Sequence, residues 1–153
     1  MEKKTVNVIY AAVLIGLLLF FVWRYMPFES EIHPDQLTFE DESGRAIRLV
    51  ENSDKPFLIH FYASWCGPCM AEFPELVLAY PKLKNQYHLF VLTDDSWKKI
   101  NQTKERFKAT FPIYKLSGSI KDAGVYNIPA TAEVDAAGKV LKFQSGRWPW
   151  AEY

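Results

Sequence analysis

The period of the apolar positions changes several times along this chain, and each change predicts an element. Residues 5–23 are uncharged and mostly apolar on every face, with Lys3 and Lys4 before them and Arg24 after. That length is enough to span a bilayer, and apolarity all round argues against a core helix with one buried stripe. A cleaved secretory signal would have a shorter apolar core and small residues at its cleavage site, whereas Trp23, Arg24, Tyr25, Met26, Pro27 and Phe28 offer none. Residues 1–26 are therefore expected to form an uncleaved signal anchor. Residues 27–36, acidic and containing prolines, are expected to be a short tether that keeps whatever follows close to the membrane.

Beyond the tether, residues 37–40 and 45–50 flank Asp41, Glu42, Ser43 and Gly44 and read as a hairpin. Residues 57–63 are apolar almost throughout, as a strand covered on both faces is. Met70, Phe73, Leu76, Val77, Tyr80 and Leu83 then recur at helical spacing, predicting a helix over 66–86 that Pro74 kinks and that Pro81 kinks again or ends. Residues 88–93 read as the next buried strand. Ser96 is expected to cap a helix carrying Trp97, Ile100, Phe107 and Phe111 on one side and Lys98, Lys99, Lys104, Arg106 and Lys108 mostly on the other, the lysines forming a solvated face. A short strand at 113–116, a short helix at 119–126 and a hairpin of 131–135 with 140–144 around Ala137 and Gly138 complete an α/β domain over 37–153.

With 153 residues, 49% of them hydrophobic, the chain can build one domain with a substantial core. Lys+Arg and Asp+Glu both number 18, so no basic surface of the kind nucleic acid requires is available. The single folded unit is expected to act as a monomer. Lys3 and Lys4 outweigh Arg24 only slightly, but Glu29, Glu31 and Asp35 do not oppose export, which orients the domain outward.

Candidate chemistry concentrates at Trp65, Cys66, Gly67, Pro68 and Cys69, which hold the only two cysteines of the chain and follow directly on the apolar run 57–63. A Cys-x-x-Cys pair where a strand enters a helix sets Cys66 at the helix N-terminus, where free N–H groups and the macrodipole favour a thiolate. Cys69 sits one turn further in, within reach of the Cys66 sulfur. Pro68 suits the first helical turn, and Gly67 permits close approach of a partner. Zinc would need four ligands, and neither a second Cys-x-x-Cys nor a His-x3-5-His is present, so no metal site is read. A purely structural disulfide would close too small a loop to stabilise much. Redox chemistry fits best.

These residues resemble the thioredoxin-like superfamily, and within it the membrane-anchored TlpA/ResA type of thiol-disulfide oxidoreductase. Residues 57–69 are similar to the family's central strand and active-site turn, and Glu72, Phe73, Pro74, Glu75 and Leu76 continue as in many members. Val125, Tyr126, Asn127, Ile128, Pro129, Ala130 and Thr131 occupy the place of the segment carrying the family's cis-proline, and 135–140 resemble the Asp-x-x-Gly-x-Val hairpin after it. The resemblance implies a central mixed sheet flanked by helices with an N-terminal hairpin. It also implies a last helix, yet Gly146, Arg147, Trp148, Pro149, Trp150, Ala151, Glu152 and Tyr153 leave room only for a short one or none. Either this aromatic tail covers the sheet there, or an apolar patch is left for a partner.

On this reading Cys66 attacks a substrate disulfide and Cys69 resolves the mixed disulfide. Trp65, Gly67, Pro68, Ile128 and Pro129 form the substrate surface, with Ile128 and Pro129, if their peptide bond is cis, offering backbone to an extended segment. His60 stands where thioredoxins carry a buried acid. It could serve as a base, or as a cation favouring the thiolate; a satisfied core histidine is the alternative. Glu72 matches a position where ResA-like proteins carry a functional glutamate, the alternative being a solvent-facing helix residue.

The resemblance implies a reductase of disulfides in exported proteins, on the extracytoplasmic side of the membrane, in cytochrome c maturation or a similar thiol-requiring pathway. No nicotinamide or flavin motif is present, so no cofactor is expected and a membrane partner would supply electrons. An oxidant or isomerase is the nearest rival, against which Gly67 and Pro68, as in thioredoxin, lean toward reduction. A tethered Cu(I)-binding module is the other, although proteins of the Sco type use a wider cysteine spacing and a distal histidine.

Overall fold

The structure, a computed structural model, describes residues 3–25, 30–49 and 53–153. Helix α1 (Lys3–Tyr25) contains an apolar stretch, Asn7–Tyr25, long enough to cross a membrane, and none of that stretch is buried against the rest of the chain. Leu14, Leu18 and Trp23 all point outward from it, so this helix gains no core contacts and needs a nonaqueous environment for its side chains.

Seven strands form one sheet in the order β2-β1-β5-β4-β3-β6-β7. The N-terminal hairpin is β1 (Thr38–Glu40) with β2 (Ala46–Arg48), held in register with Phe39 opposite Ile47. The last residue of its expected second arm, Val50, lies outside the described residues. At the turn the Asp41 carboxylate accepts the backbone N–H groups of Ser43 and Arg45. Strand β3 (Phe57–Phe61) is buried at every position because β4 (His88–Thr93) flanks it in parallel and β6 (Ala130–Val134) antiparallel. Strand β5 (Ile113–Leu116) lies between β4 and β1, and β7 (Val140–Ser145) closes the other edge. Parallel β3, β4 and β5 require helical crossovers, supplied by α2 (Gly67–Gln86) and α3 (Trp97–Phe107). Phe73 of α2 meets Tyr62, Phe107 and Phe111 at ring separations of 4.9, 5.1 and 5.9 Å, which fixes α2 against α3.

Several expectations change in three dimensions. Helix α2 continues past Pro81 to Gln86, so Pro81 does not end it; both prolines are on its exposed side, where the carbonyls they leave unbonded can face solvent. Ser96 takes the N-cap position of α3 without a side-chain cap bond, and α3 stops before Phe111, Lys108 adopting the left-handed conformation that ends it. Residues 119–126 form turns instead of a helix. The Asp122 carboxylate accepts the Ser119 N–H, and Gly124 has a positive φ of 79°. Two of the expected solvated lysines are partnered, Lys99 by Asp95 and Lys104 by Glu42.

Of the expected tether, residues 27–29 lie outside the described residues, whereas 30–36 pack against the domain. The Glu31 N–H donates to the Gly124 carbonyl (3.1 Å), the Tyr126 N–H donates to Ser30 Oγ (3.1 Å), and Ile32 and Pro34 are buried around a short 3-10 turn, Pro34–Gln36. A Cβ at Gly124 would sit 2.0 Å from the Glu31 carbonyl oxygen, so only glycine allows this approach.

Residues 146–153 resolve the choice left open at this side of the sheet. The aromatic tail itself covers that place: Trp148 and Trp150 are buried, and Trp150–Glu152 form a single 3-10 turn beside α2. Lys82 Nζ donates to the Tyr153 carbonyl (3.1 Å), Arg147 pairs with Glu75, and Lys142 lies over the Trp148 ring at 4.5 Å.

Candidate redox site

The site sits where β3 passes into α2. The Tyr62 N–H donates to the Leu92 carbonyl and continues the sheet one residue past the strand. Asp95, at the end of the neighbouring strand, accepts the Ser64 N–H at 2.6 Å and fixes the loop that presents Trp65, which is 72% exposed. Cys66 is the N-cap residue of α2, and Gly67 and Pro68 form the exposed first turn. Cys66 and Cys69 are joined by a disulfide with Cα atoms 5.3 Å apart. Cys66 keeps 5% exposure and Cys69 none, so only the first sulfur is open to attack or to attacking.

The Cys69 N–H donates to Cys66 Sγ at 3.2 Å. In the dithiol form this donor and the helix N-terminus both favour a Cys66 thiolate. The Ile128–Pro129 bond is cis, and the Ile128 carbonyl oxygen lies 3.7 Å from Cys66 Sγ, which sets this loop beside the disulfide. Ile128 is partly exposed and Pro129 buried. Trp65, Gly67, Pro68 and Ile128 thus share an accessible rim around one sulfur.

Behind this rim lies a buried polar cluster. His60, on β3, and Glu72, one turn beyond Cys69 on α2, are 0% and 2% exposed; the solvent-facing alternative for Glu72 is excluded. His60 Nε2 and Glu72 Oε1 lie 3.3 Å apart, off the alignment of a full hydrogen bond. His60 Nδ1 and Thr131 Oγ1 share a hydrogen bond of 3.0 Å, and the Trp148 N–H donates to Glu72 Oε2 at 3.2 Å. The Trp150 ring meets the imidazole edge-on, with centroids 5.3 Å apart.

Burial sets the charges of this cluster. Desolvation pushes the His60 pKa down from 6.5 to about 3, so the imidazole is neutral at physiological pH. Of the readings open for His60, burial disfavours the cation, because no solvent reaches the ring to stabilise the charge. Desolvation pushes Glu72 up from 4.5 to about 7, against the opposing pull of the Trp148 N–H and the Trp150 indole. A buried carboxyl titrating near neutrality beside a Cys-x-x-Cys pair can take or give a proton at the pH where thiol exchange occurs.

Asp95, Thr131, Trp148 and Trp150 were not singled out from the sequence. A Trp-Pro-Trp run directly after a strand was the one available signal, since two indoles so close together are seldom left in water. Trp150→Ala is expected to cost about 3–5 kcal/mol in urea unfolding, as a large buried side chain leaves a cavity. The same change should admit water to Glu72 and return its titration toward 4.5. Unchanged stability would mean that the tail is not part of the core.

The AhpC/TSA family model matches residues 31–143. ResA, a thiol-disulfide oxidoreductase of Geobacillus thermodenitrificans, is 32% identical over 117 residues, covering 74% of this chain and 67% of ResA. ResA of Bacillus subtilis is 29% identical over 111 residues, covering 70% and 62%. The chain thus spans about two thirds or less of these relatives' length. Among solved structures, StoA of Bacillus subtilis superposes with a TM-score of 0.63 at 19% identity, covering 82% of this chain and 96% of StoA. The exposed lipoprotein thioredoxin of Streptococcus pneumoniae gives 0.63 at 20% identity, covering 74% and 91%. These two show the fold: an α/β thioredoxin-like sheet. A family match over most of the folded residues, ResA relatives at this identity and a Cys-x-x-Cys disulfide at the head of α2 together place the chain in the AhpC/TSA family, among the thiol-disulfide oxidoreductases related to ResA.

Proposed function

We propose that this protein is a single-pass, membrane-anchored reductase of disulfides in exported proteins, serving cytochrome c maturation or a similar thiol-requiring pathway. Cys66 thiolate attacks one sulfur of a substrate disulfide, forming a mixed disulfide and releasing one substrate thiolate. Glu72 takes the proton of Cys69, whose thiolate attacks Cys66 and expels the second substrate thiolate; the substrate gains two electrons and the Cys66–Cys69 disulfide forms. A dithiol protein of the membrane returns two electrons to the pair. Trp65, Gly67, Pro68 and Ile128 form the surface on which the substrate lies, with buried Pro129 holding the Ile128 backbone where an extended segment can pair with it.

What supports the reducing direction is the complete burial of His60, which disfavours a charged imidazole. A buried cation here would stabilise the thiolate and make the pair oxidising; with His60 uncharged that contribution is absent, and Gly67 and Pro68 add none. The apolar stretch of α1 supports the anchor, and Lys3 and Lys4 before it, against Arg24 alone after it, support an outward-facing domain.

Equilibration of the full-length protein in detergent with glutathione buffers, read by alkylation of the free thiols, tests the direction. The potential is expected nearer that of thioredoxin, about −270 mV, than that of DsbA, about −120 mV. A value at the oxidising end would reassign the protein as an oxidant.

A further inference from the structure

Thr131 brings into the core a hydroxyl that the redox reading does not use. It lies on β6 directly across the ladder from His60 of β3 and is fully buried. Its Oγ1 is 3.0 Å from His60 Nδ1, while the other ring nitrogen, Nε2, faces Glu72 Oε1 at 3.3 Å. Among the described residues neither Nε2 nor Oε1 has a fully aligned hydrogen-bond partner, and the Trp150 indole also bears on the Glu72 carboxyl. The remaining carboxylate oxygen, Oε2, already accepts the Trp148 N–H, so a proton on Glu72 belongs on Oε1, facing the ring. The charged groups around the cluster are Glu75 on the same helix and Arg147 on the tail, which pair with one another.

A hydroxyl both donates and accepts, a neutral imidazole carries one N–H, and a carboxyl is a donor only when protonated. Thr131, His60 and Glu72 consequently have two patterns in which each ring nitrogen of His60 faces a complementary atom. With Glu72 ionised, the Thr131 hydroxyl donates to Nδ1 and Nε2–H faces the carboxylate. With Glu72 protonated, its O–H faces bare Nε2 and Nδ1–H donates to the Thr131 oxygen. One proton is gained overall, carried on Oε1; the imidazole keeps a single N–H that changes nitrogen, and the hydroxyl turns from donor to acceptor.

We infer that His60 and Thr131 form a tautomeric switch that lets Glu72 take up and release a proton inside the fold while both ring nitrogens of His60 stay matched in each state. The inference rests on Glu72 being the proton acceptor for Cys69, and it makes His60 and Thr131 positioning residues acting through Glu72. Without the switch, one of the two protonation states of Glu72 would confront an imidazole of the wrong tautomer and carry the cost of a buried unpaired group.

The experiment uses the full-length disulfide form in detergent with 15N-labelled histidine, the His60 ring signals being identified by their loss in His60→Gln. On raising the pH through the Glu72 titration, His60 should pass from the Nδ1–H to the Nε2–H tautomer with no imidazolium signature. Thr131→Val removes the hydroxyl and keeps the shape, and an Nδ1–H would then be a buried donor without acceptor. His60 should stay Nε2–H throughout, and the Glu72 titration, followed by carboxyl 13C shift, should fall by about one pH unit. Thr131→Ser should restore both wild-type behaviours. A His60 tautomer that does not change while Glu72 titrates, or Val and Ser variants that behave alike, would overturn the switch. The rate at which Cys69 resolves a mixed disulfide separates the two readings: a rate that ignores the Glu72 titration, with the tautomer change intact, overturns Glu72 as base and leaves the switch standing.

Discussion

Cys69→Ser is expected to convert the protein from a turnover catalyst into a trap. Cys66, 5% exposed and at the head of α2, keeps its N-cap position and the N–H at residue 69, so it still attacks substrate disulfides. The mixed disulfide then has no internal thiol to resolve it, and covalent complexes should accumulate that reductant releases on a gel. Cys66→Ser should form none, because the remaining sulfur at Cys69 is completely buried. Disulfide reduction should drop to the uncatalysed background in both variants, so only the trapping assay tells the roles apart. Equal trapping by the two would show that burial does not assign attack and resolution.

Wild-type stability should pass through a plateau in pH, which Glu72→Gln should replace with a rise that continues to about pH 6.5. The native His60 titrates at about 3 against 6.5 unfolded, so between those values the unfolded chain holds the extra proton and stability rises with pH. The native Glu72 titrates at about 7 against 4.5 unfolded, so between those values the native state holds the extra proton and stability falls with pH. From 4.5 to 6.5 the two slopes oppose and cancel; above 6.5 only the Glu72 decline remains, ending at about 7. Glutamine mimics the protonated carboxyl, so the variant should lack that decline and exceed the wild type by about 3 kcal/mol at alkaline pH, while differing little near pH 4. Urea titrations of the disulfide form, in which the cysteines do not ionise, would measure this. Parallel curves for the two proteins would mean that Glu72 titrates as an exposed side chain.

Most of the secondary structure was legible because local pattern and local physics agree. The apolar run at 57–63 predicts a strand buried on both faces, and β3 is buried at all of its positions since it has strand neighbours on both sides and helices crossing over it. The residues of α2 announce the helix by their spacing. The failures were of two kinds. At 119–126 the helical expectation lost to turn chemistry, with Asp122 binding the Ser119 N–H and Gly124 opening its φ so that residues 30–32 could approach. In the segment 27–36, acidic and proline-bearing composition reads as a linker, yet Ile32 and Pro34 find a pocket that only the folded body provides.

The redox pair was the most legible part of the site. Two cysteines three residues apart at a strand-to-helix junction set one sulfur at the helix cap and the other one turn inside it, so the sequence by itself determined the redox pair and the places of Cys66 and Cys69. It equally determined the apolar helix, because a bilayer-length run without charges depends on no tertiary partner. What only the tertiary structure decided is the state of the groups behind the pair. His60, Glu72, Thr131 and Trp150 come from β3, α2, β6 and the tail, up to 90 positions apart in the chain, and each is ordinary when read alone. Their protonation follows from solvent exclusion by the aromatic tail and from matching of donors to acceptors. Those properties belong to an enclosed volume and have no counterpart in a local run of residues.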